Sequence, residues 1–356
     1  MRALEILDPG PRATVQDAGR PGWRSAGVPV CGAADKTAWR LACGLSGAGG
    51  GAGEGAAAIE FALRGPVLRA VGGAVRVALA GAAGRIEGAD GALRALPAFA
   101  SATLAEGETL RIGAVEAGAF GYLAADADFD LPLVMGSRAT DLRAGFGGLE
   151  GRSLRKGDRL AVPGPAPRGP ERALTPPPPD AGPLRVIPGP QDDHFTPEAL
   201  ARFTATDWRV SAEVDRMGAR LQGEGLTHNA RGADITSDGL TVGAIQVPGD
   251  GLPIILGADS HTIGGYPKIA TIITADLSRA GQLTPGALVR FRAVTLDQAR
   301  AAAVAARAAL DKALAAMRPF HGAGGMDLAA LASGNLVSGM IDAQAPRFPG
   351  SLEETP

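Results

Sequence analysis

The sequence predicts a mainly β protein with some α, divided into two β-rich halves. Three observations carry this. Short apolar runs bounded by Gly, Pro or Asp recur: Leu184–Ile187, Leu252–Leu256, Ile269–Ile273 and Leu288–Val294, with a polar turn and an alternating stretch in Leu104–Val115. Such runs read as strands, and strands this short and frequent suggest sandwiches or barrels more than a doubly wound sheet. Glycine (52) and proline (27) make up about a fifth of the 356 residues, above the ~12% of ordinary chains, which disfavours a long helical protein. Finally, Pro163–Pro190 contains the run Pro176–Pro179 and little apolar material. It reads as a stiff, extended connector between residues 1–162 and 191–295.

Helices interrupt the strands at three places. Asp35–Leu45 puts Ala38, Leu41, Ala42 and Leu45 on one face. Thr196 and Pro197 form an N-cap and first-turn pair for a short helix through Phe203. Thr295 to Gln298 is a capping box opening an Ala-rich helix to about Met317, the start of a helical extension over 296–356. Beyond Pro319 the apolar residues of Asn335–Asp342 are expected to pack back on the body. Gly47–Gly55 lacks the Gly-x4-Gly-Lys-Ser/Thr pattern and reads as a surface turn, not a phosphate loop.

Composition removes several function classes. Basic and acidic side chains nearly balance, 35 against 37, so no electrostatic case for nucleic acid arises. Aromatic residues are 4% of the chain, too few for a base-stacking platform. Cys31 and Cys43 are the only cysteines, which excludes a disulfide framework and a multi-Cys zinc site. Hydrophobic residues are 46%, enough for a substantial core. The first residues have no apolar leader, and no charge-free stretch of ~20 apolar residues exists. A cytoplasmic location is the expectation.

Three polar, glycine-rich strings are denser than ordinary turns. The first is Thr14–Arg20, followed by Gly32–Asp35. The second is Met135–Asp141, followed by Gly145–Gly148 and Lys156–Leu160. The third is Asp215–Leu221, then Gln246–Pro248, then Asp259–Pro267. Each gathers carboxylates, guanidinium groups and exposed backbone N–H groups. Glycine lets a ligand approach the main chain, and Arg offers a planar fork to a carboxylate or phosphate. Any one pair, such as Asp17 with Arg20 or Asp215 with Arg216, can simply tie a turn. Together the strings point to a polar ligand site.

Asp259, His261 and Lys268 flank Gly264 and Gly265. They suit an orienting carboxylate, a proton-transfer group and a cation for an anionic substrate. A hydrogen-bonded surface histidine is the alternative for His261. We expect Arg216, Gln246, Asp259, His261 and Tyr266 to converge on a polar cleft, with Gly264 and Gly265 at its wall. Asp17, Arg20, Asp141 and Lys268 join them as substrate-binding candidates. Asp192, Asp193 and His194 form a possible metal cluster, although adjacent carboxylates more often mark a solvated loop. His228 and His321 carry no pattern. Cys31 lacks a neighbouring His, which weakens it as a nucleophile. Neither Gly-x-Ser-x-Gly nor an HExxH motif is present.

The strings TVQDAGRPGWRSAGVP, VMGSRATDLRAGFGGLEGR, DRMGARL and GGYPKIATI resemble the carboxyltransferase family called allophanate hydrolase subunit 2. That family includes the C subunit of ATP-dependent 5-oxoprolinase, the antagonist of a histidine-kinase inhibitor, and half of the urea carboxylase carboxyltransferase module. The resemblance covers about Ala3 to Ala293. It implies tandem cyclophilin-like β-barrel domains. It further implies one component of an ATP-dependent 5-oxoproline hydrolase, active in complex with the companion B subunit and linked functionally to the A subunit. ATP, with Mg2+, would then bind through a different arrangement, on a partner subunit or at a subunit interface, since no Walker A motif is present. Two other activities follow from the same family: carboxyl transfer from carboxybiotin to urea or another amide, and regulatory binding of a kinase inhibitor. Two departures stand out. Tyr122–Asp128 lacks the Gly-Gly pair usual after Tyr-Leu-Ala, and His261-Thr-Ile replaces a Gln-Thr-Thr before Gly264.

Overall fold

The computed structural model describes residues 1–48, 56–178 and 180–320. It is mainly β, with strands in three principal sheets. Six antiparallel strands form one sheet, in the order Arg159–Ala161, Ala3–Asp8, Val67–Val71, Thr109–Val115, Ala82–Glu87, Leu93–Leu96. A second runs Arg12–Gln16, Ala58–Ala62, Phe120–Ala125, Val75–Ala80, Ala100–Leu104, Arg172–Ala173, Arg318–Pro319. Leu4, Ile6, Ile59, Phe61, Val77, Leu79 and Leu123 fill the core between these two sheets. Val75–Ala80 and Phe120–Ala125 are buried along their whole length, so apart from Arg76 and Tyr122, whose polar groups are hydrogen-bonded, they carry apolar side chains and glycine rather than an alternation.

The third sheet has eight strands. Its order is Leu288–Val289, Trp208–Val214, Gly218–Gln222, Ile254–Leu256, Ala244–Gln246, Lys268–Ile272, Leu184–Pro188, Phe291–Ala293. The run read from sequence as one strand, 288–294, is two. Residues 288 and 289 pair with Trp208 and Arg209 at one edge, while 291–293 pair in parallel with Leu184–Val186 at the other. Only Arg290 separates the two edges, so the sheet is nearly closed into a barrel and exposes little unpaired edge. Trp208, Val210, Leu221, Ile245 and Phe291 fill its interior.

The expected connector is not a free spacer. Arg2 donates to the carbonyls of Pro163 and Gly164, Arg76 donates to Gly169, and Arg172–Ala173 joins the second sheet. Leu184–Pro188 already belongs to the barrel.

Helix α1 (Lys36–Ser46) begins where Asp35 accepts hydrogen bonds from the amides of Thr37 (2.9 Å) and Ala38 (3.0 Å). It ends at Gly47, whose left-handed φ of 92° lets its N–H reach Cys43. Helix α2 (Pro197–Ala205) uses the Thr196 cap, and α3 (Leu277–Gly281) is one short turn. Helix α4 (Leu296–Ala315) has the capping box and stops two residues before the expected Met317. Leu310 and Ala313 of α4 pack on Leu41 and Leu45 of α1. The extension thus straps the C-terminal half back to the N-terminal one. The tail after Phe320 and most of Gly47–Gly55 lie outside the described residues. Among the described residues, no helix is long and apolar enough to cross a membrane.

Candidate active site

The most buried charged group of the third string is Arg216, at the turn between two barrel strands. Asp215 does not pair with it; Asp215 accepts from the Met217 amide at 2.7 Å and shapes the turn. Arg216 instead crosses to the other half. It donates to both oxygens of Asp259 at 2.7 Å, to Glu60 at 2.5 Å and to the Gly32 carbonyl at 2.7 Å. The second Glu60 oxygen accepts from the Ala34 amide (2.9 Å) and the Tyr122 hydroxyl (2.8 Å). Tyr122 in turn accepts from the Asp35 amide at 2.8 Å.

Burial works against the Arg216 charge, but Glu60 and Asp259 hold its pKa above the ordinary arginine value. Burial, then the charge of Glu60, pushes the Tyr122 phenol up as well. Burial also raises Asp35, against the amide of Ala38 and the Gln282 side chain that favour its charge. The network joins the halves with nearly every polar atom satisfied, the condition under which a buried ion pair is tolerated.

The first two strings tie to each other. Asp17 accepts from the Gly19 amide (2.7 Å), the Ser137 hydroxyl (2.6 Å) and the Arg138 amide (2.6 Å). Its oxygens are thus committed to protein loops, which corrects its assignment as a substrate ligand. Asp141 accepts from the amides of Arg143 and Ala144 at 3.0 Å and closes its own turn. Arg20 does not pair with Asp17. It donates to the carbonyls of Ala139 and, at 3.4 Å, Val134, and lies 4.8 Å from the centre of the Phe146 ring. Gly32 is required here: φ is 77°, and a Cβ would fall 2.6 Å from the Gly19 nitrogen.

The remaining third-string residues divide into separate groups. Gln246 donates to the Tyr266 carbonyl at 3.2 Å and lies against Gly264, where a Cβ would stand 2.8 Å from its Nε2. At Gly265 the nearest atom would be 3.5 Å away, so of the two glycines only Gly264 is closely packed. Lys268 is buried and donates to Asp238 at 2.7 Å, so its ammonium is not free for a substrate. The His261 ring is exposed, with Arg143 Nη1 2.6 Å from its Nε2, and its carbonyl accepts from Arg24 at 2.8 Å. Both oxygens of Asp259 face Arg216, so Asp259 does not orient His261. The five residues expected to converge therefore form an Arg216–Asp259 pair, a Gln246–Tyr266 contact and a His261–Arg143 contact.

The other histidines have local partners. His194 bonds through Nδ1 to the Gly232 carbonyl at 2.9 Å while Asp193 pairs with Arg231, and His228 bonds to the Val247 carbonyl at 3.1 Å. Among the described residues, no three His, Cys, Asp or Glu side chains are grouped to hold a metal ion. His321 lies outside the described residues.

Between the halves runs a cleft of about 910 Å³, with Arg12, Cys31, Lys36, Ser278 and Leu310 in its lining and Arg216 at its wall. Sequence reasoning missed Lys36. The available signal was its position one residue after Gly32–Asp35, opening α1. Its side chain is exposed on the cleft surface, and desolvation by the surrounding protein, then neighbouring Arg40, lowers its pKa. Glu60 and Tyr122 were also missed. Glu60 was detectable as a carboxylate inside the apolar run Ala58–Ala62. The site can thus hold an anionic small molecule beside a rigid, charge-balanced wall.

Comparison with known proteins identifies the class to which this mainly β chain belongs. The chain belongs to the family defined by the carboxyltransferase domain, subdomain A and B, whose model matches residues 26–293. Among individual relatives, it is 35% identical to the C subunit of 5-oxoprolinase from Escherichia coli (strain K12) over 300 residues, 83% of this chain and 93% of that one. It is 30% identical to urea amidolyase of Lachancea kluyveri over 326 residues, 84% of this chain but 17% of that one. The crystal structure of the K. lactis urea amidolyase aligns with a TM-score of 0.77 at 27% identity, covering 87% of this chain and 20% of that chain.

Proposed function

We propose that this chain is the C-type subunit of an ATP-dependent 5-oxoprolinase, converting 5-oxo-L-proline, ATP and water to L-glutamate, ADP and phosphate. One observation carries the reading: the likeness to the 5-oxoprolinase C subunit spans 93% of that protein's length. The likeness to urea amidolyase spans only 17% of that much longer chain.

The chemistry suits the cleft. The lactam is a resonance-stabilised amide, and phosphorylating its oxygen makes the ring carbon electrophilic. A site for this must hold a carboxylate, balance phosphate charge and exclude stray water. Lys36 and Arg12 offer cations in the cleft lining. His261, exposed beside Arg143, is our candidate for proton transfer. ATP, with Mg2+, is met at an interface with the companion B subunit, and the A subunit completes the cytoplasmic assembly. The chain alone is then expected to show little turnover.

The test is reconstitution with both companion subunits and measurement of ATP hydrolysis against a panel of cyclic and linear amides. Stimulation by 5-oxoproline supports the proposal. Its absence, or turnover by the partner-free chain, overturns it. The urea amidolyase likeness keeps a second reading, carboxyl transfer from a partner-borne carboxybiotin to an amide. Biotin-dependent turnover of urea would select it.

A further inference from the structure

In and between the three glycine-rich strings lie side chains that neither the cleft nor the buried ion pairs use. Among the described residues, thirteen large hydrophobic side chains are exposed, and six of them fall on four short segments. Trp23 lies on 21–30, Leu133 and Met135 on 132–137, Leu142 on 142–148, and Ile263 and Tyr266 on 260–267. The chain has three tryptophans and two tyrosines. Trp39, Trp208 and Tyr122 are buried, so the one exposed tryptophan and the one exposed tyrosine both fall here. Gathered apolar exposure of this kind marks an interaction site, whereas single exposed hydrophobic residues do not.

The folded chain brings the four segments together from both halves. Arg24, next to Trp23, donates to the carbonyls of Leu240 and His261, each at 2.8 Å. Arg143, next to Leu142, stands 2.6 Å from Nε2 of His261. Arg20 donates at 3.4 Å to the carbonyl of Val134, which lies between Leu133 and Met135, and its guanidinium is 4.8 Å from the centre of the Phe146 ring. Met135 is exposed although its φ is 54°, a left-handed value unusual for a residue with a side chain. Backbone strain of this kind gathers at functional surfaces.

Residue type then says what covers the face. The four segments contain no Asp, Glu or Lys, and their charged side chains are Arg24 and Arg143, with His261 between them. Aromatic residues, Met and Arg without Lys, Glu or Asp are the composition of an interface core between proteins, and Trp, Tyr and Arg dominate its binding energy. Asp238, paired through Gly264 with the last segment, is already taken by Lys268 at 2.7 Å. A two-fold pairing of two copies would therefore set Arg24 and Arg143 against a surface that offers only cations. Two guanidinium groups are also too few to hold a nucleic-acid backbone. The fit is to a different protein, with an apolar face and carboxylates opposite Arg24 and Arg143.

We infer that these four segments form the docking surface for a different protein subunit. Naming the companion B subunit as that protein rests on the proposed function; the class of partner rests on the side chains. Docking there encloses His261 and Arg143, which stand exposed in the chain alone.

The test is the affinity of the full chain for the companion B subunit, read by calorimetry, with thermal melts as the folding control. Trp23→Glu, Leu142→Glu and Ile263→Glu should each weaken binding by about tenfold or more. Leu93→Glu and Val304→Glu, at side chains exposed on other elements, should leave it unchanged. Arg143→Glu should weaken binding most at low salt. Hydrogen exchange gives a reading without substitutions: amides of the four segments should slow in the complex. Unchanged affinity in the three face variants, equal losses in the two control variants, or unslowed exchange would each overturn the surface. So would a chain that binds no companion subunit, or one that forms a dimer which Trp23→Glu dissolves. The two proposals fail separately. Turnover of 5-oxoproline by an assembly whose face variants bind normally removes the surface alone. Face-dependent binding without turnover removes the enzymatic reading alone.

Discussion

Arg216 and Arg20 are buried almost equally, 2% and 1% exposed, but their surroundings differ. Arg216 sits at the seam of the halves with two carboxylates and a carbonyl on its nitrogens. Arg20 sits beside Cys31 with carbonyls, a ring and an unpartnered nitrogen. The first region closes its electrostatics internally; the second leaves them open. The contrast separates a guanidinium neutralised by carboxylates across the seam from one held by carbonyls and a ring, a distinction invisible in exposure alone.

The largest effect should come from breaking the closed region. Arg216→Met strands Glu60 and Asp259 in the interior and should cost ~3–5 kcal/mol. Arg20→Met strands no carboxylate and should cost only ~1–2 kcal/mol. Urea unfolding of both variants measures the gap; equal losses would erase the proposed difference between the regions.

Next comes the open side of the molecule. His261→Ala should lower turnover of the reconstituted complex on the order of 10²-fold while melting normally, if the ring transfers a proton. Should His261→Ala and His261→Gln both keep full turnover, His261 reduces to a partner for Arg143.

A smaller effect separates two adjacent glycines. Gly264→Ala drives a methyl against Gln246 and Leu240 (2.8 and 2.9 Å) and should cost ~1–3 kcal/mol. Gly265→Ala meets nothing closer than 3.5 Å and should stay within ~0.5 kcal/mol. Thermal melts decide, and a reversed order would contradict the packing around Gln246.

The smallest effect is a pH dependence. The Lys268 hydrogen bond, with help from the Gly239 amide and Gln191, holds Asp238 below its ordinary value of 3.8. A depressed carboxylate contributes stability above its unfolded pKa and loses it as pH falls through the folded one. The contribution should therefore be present at neutral pH and fade below pH 3.8. Asp238→Asn should flatten the acid limb of the stability curve in that window. An unchanged limb would mean the pair is fully screened by solvent.

Much of the local structure was readable from sequence. Thr196 and Thr295 marked the starts of two helices because a cap is a contact within three residues, and the apolar face of Asp35–Leu45 marked a third. The run Leu288–Val294 was readable as strand but not as two strands at opposite barrel edges, because closure depends on pairing with Trp208 and Leu184, far away in the chain. The three glycine-rich strings signalled dense polar contacts, and the structure divides them into an Arg216–Asp259 pair and a separate set of contacts around Arg20. Their partners were misread. Asp17 and Arg20 are three residues apart and yet bind different parts of the second string, and Lys268 turned out to be committed to Asp238.

The sequence by itself determined the mainly β composition, the helix starts, the family motifs and the kinds of charged group in the site. Those depend on backbone propensity, side-chain chemistry and contacts a few residues long. Tertiary structure alone decided which charge meets which: Glu60 reaches Arg216 across 156 residues, and Arg143 reaches His261 across 118. Such pairings follow from sheet register and from the way the two halves are strapped together. No local pattern encodes them, so the satisfied seam at Arg216 could not be read before the chain was folded.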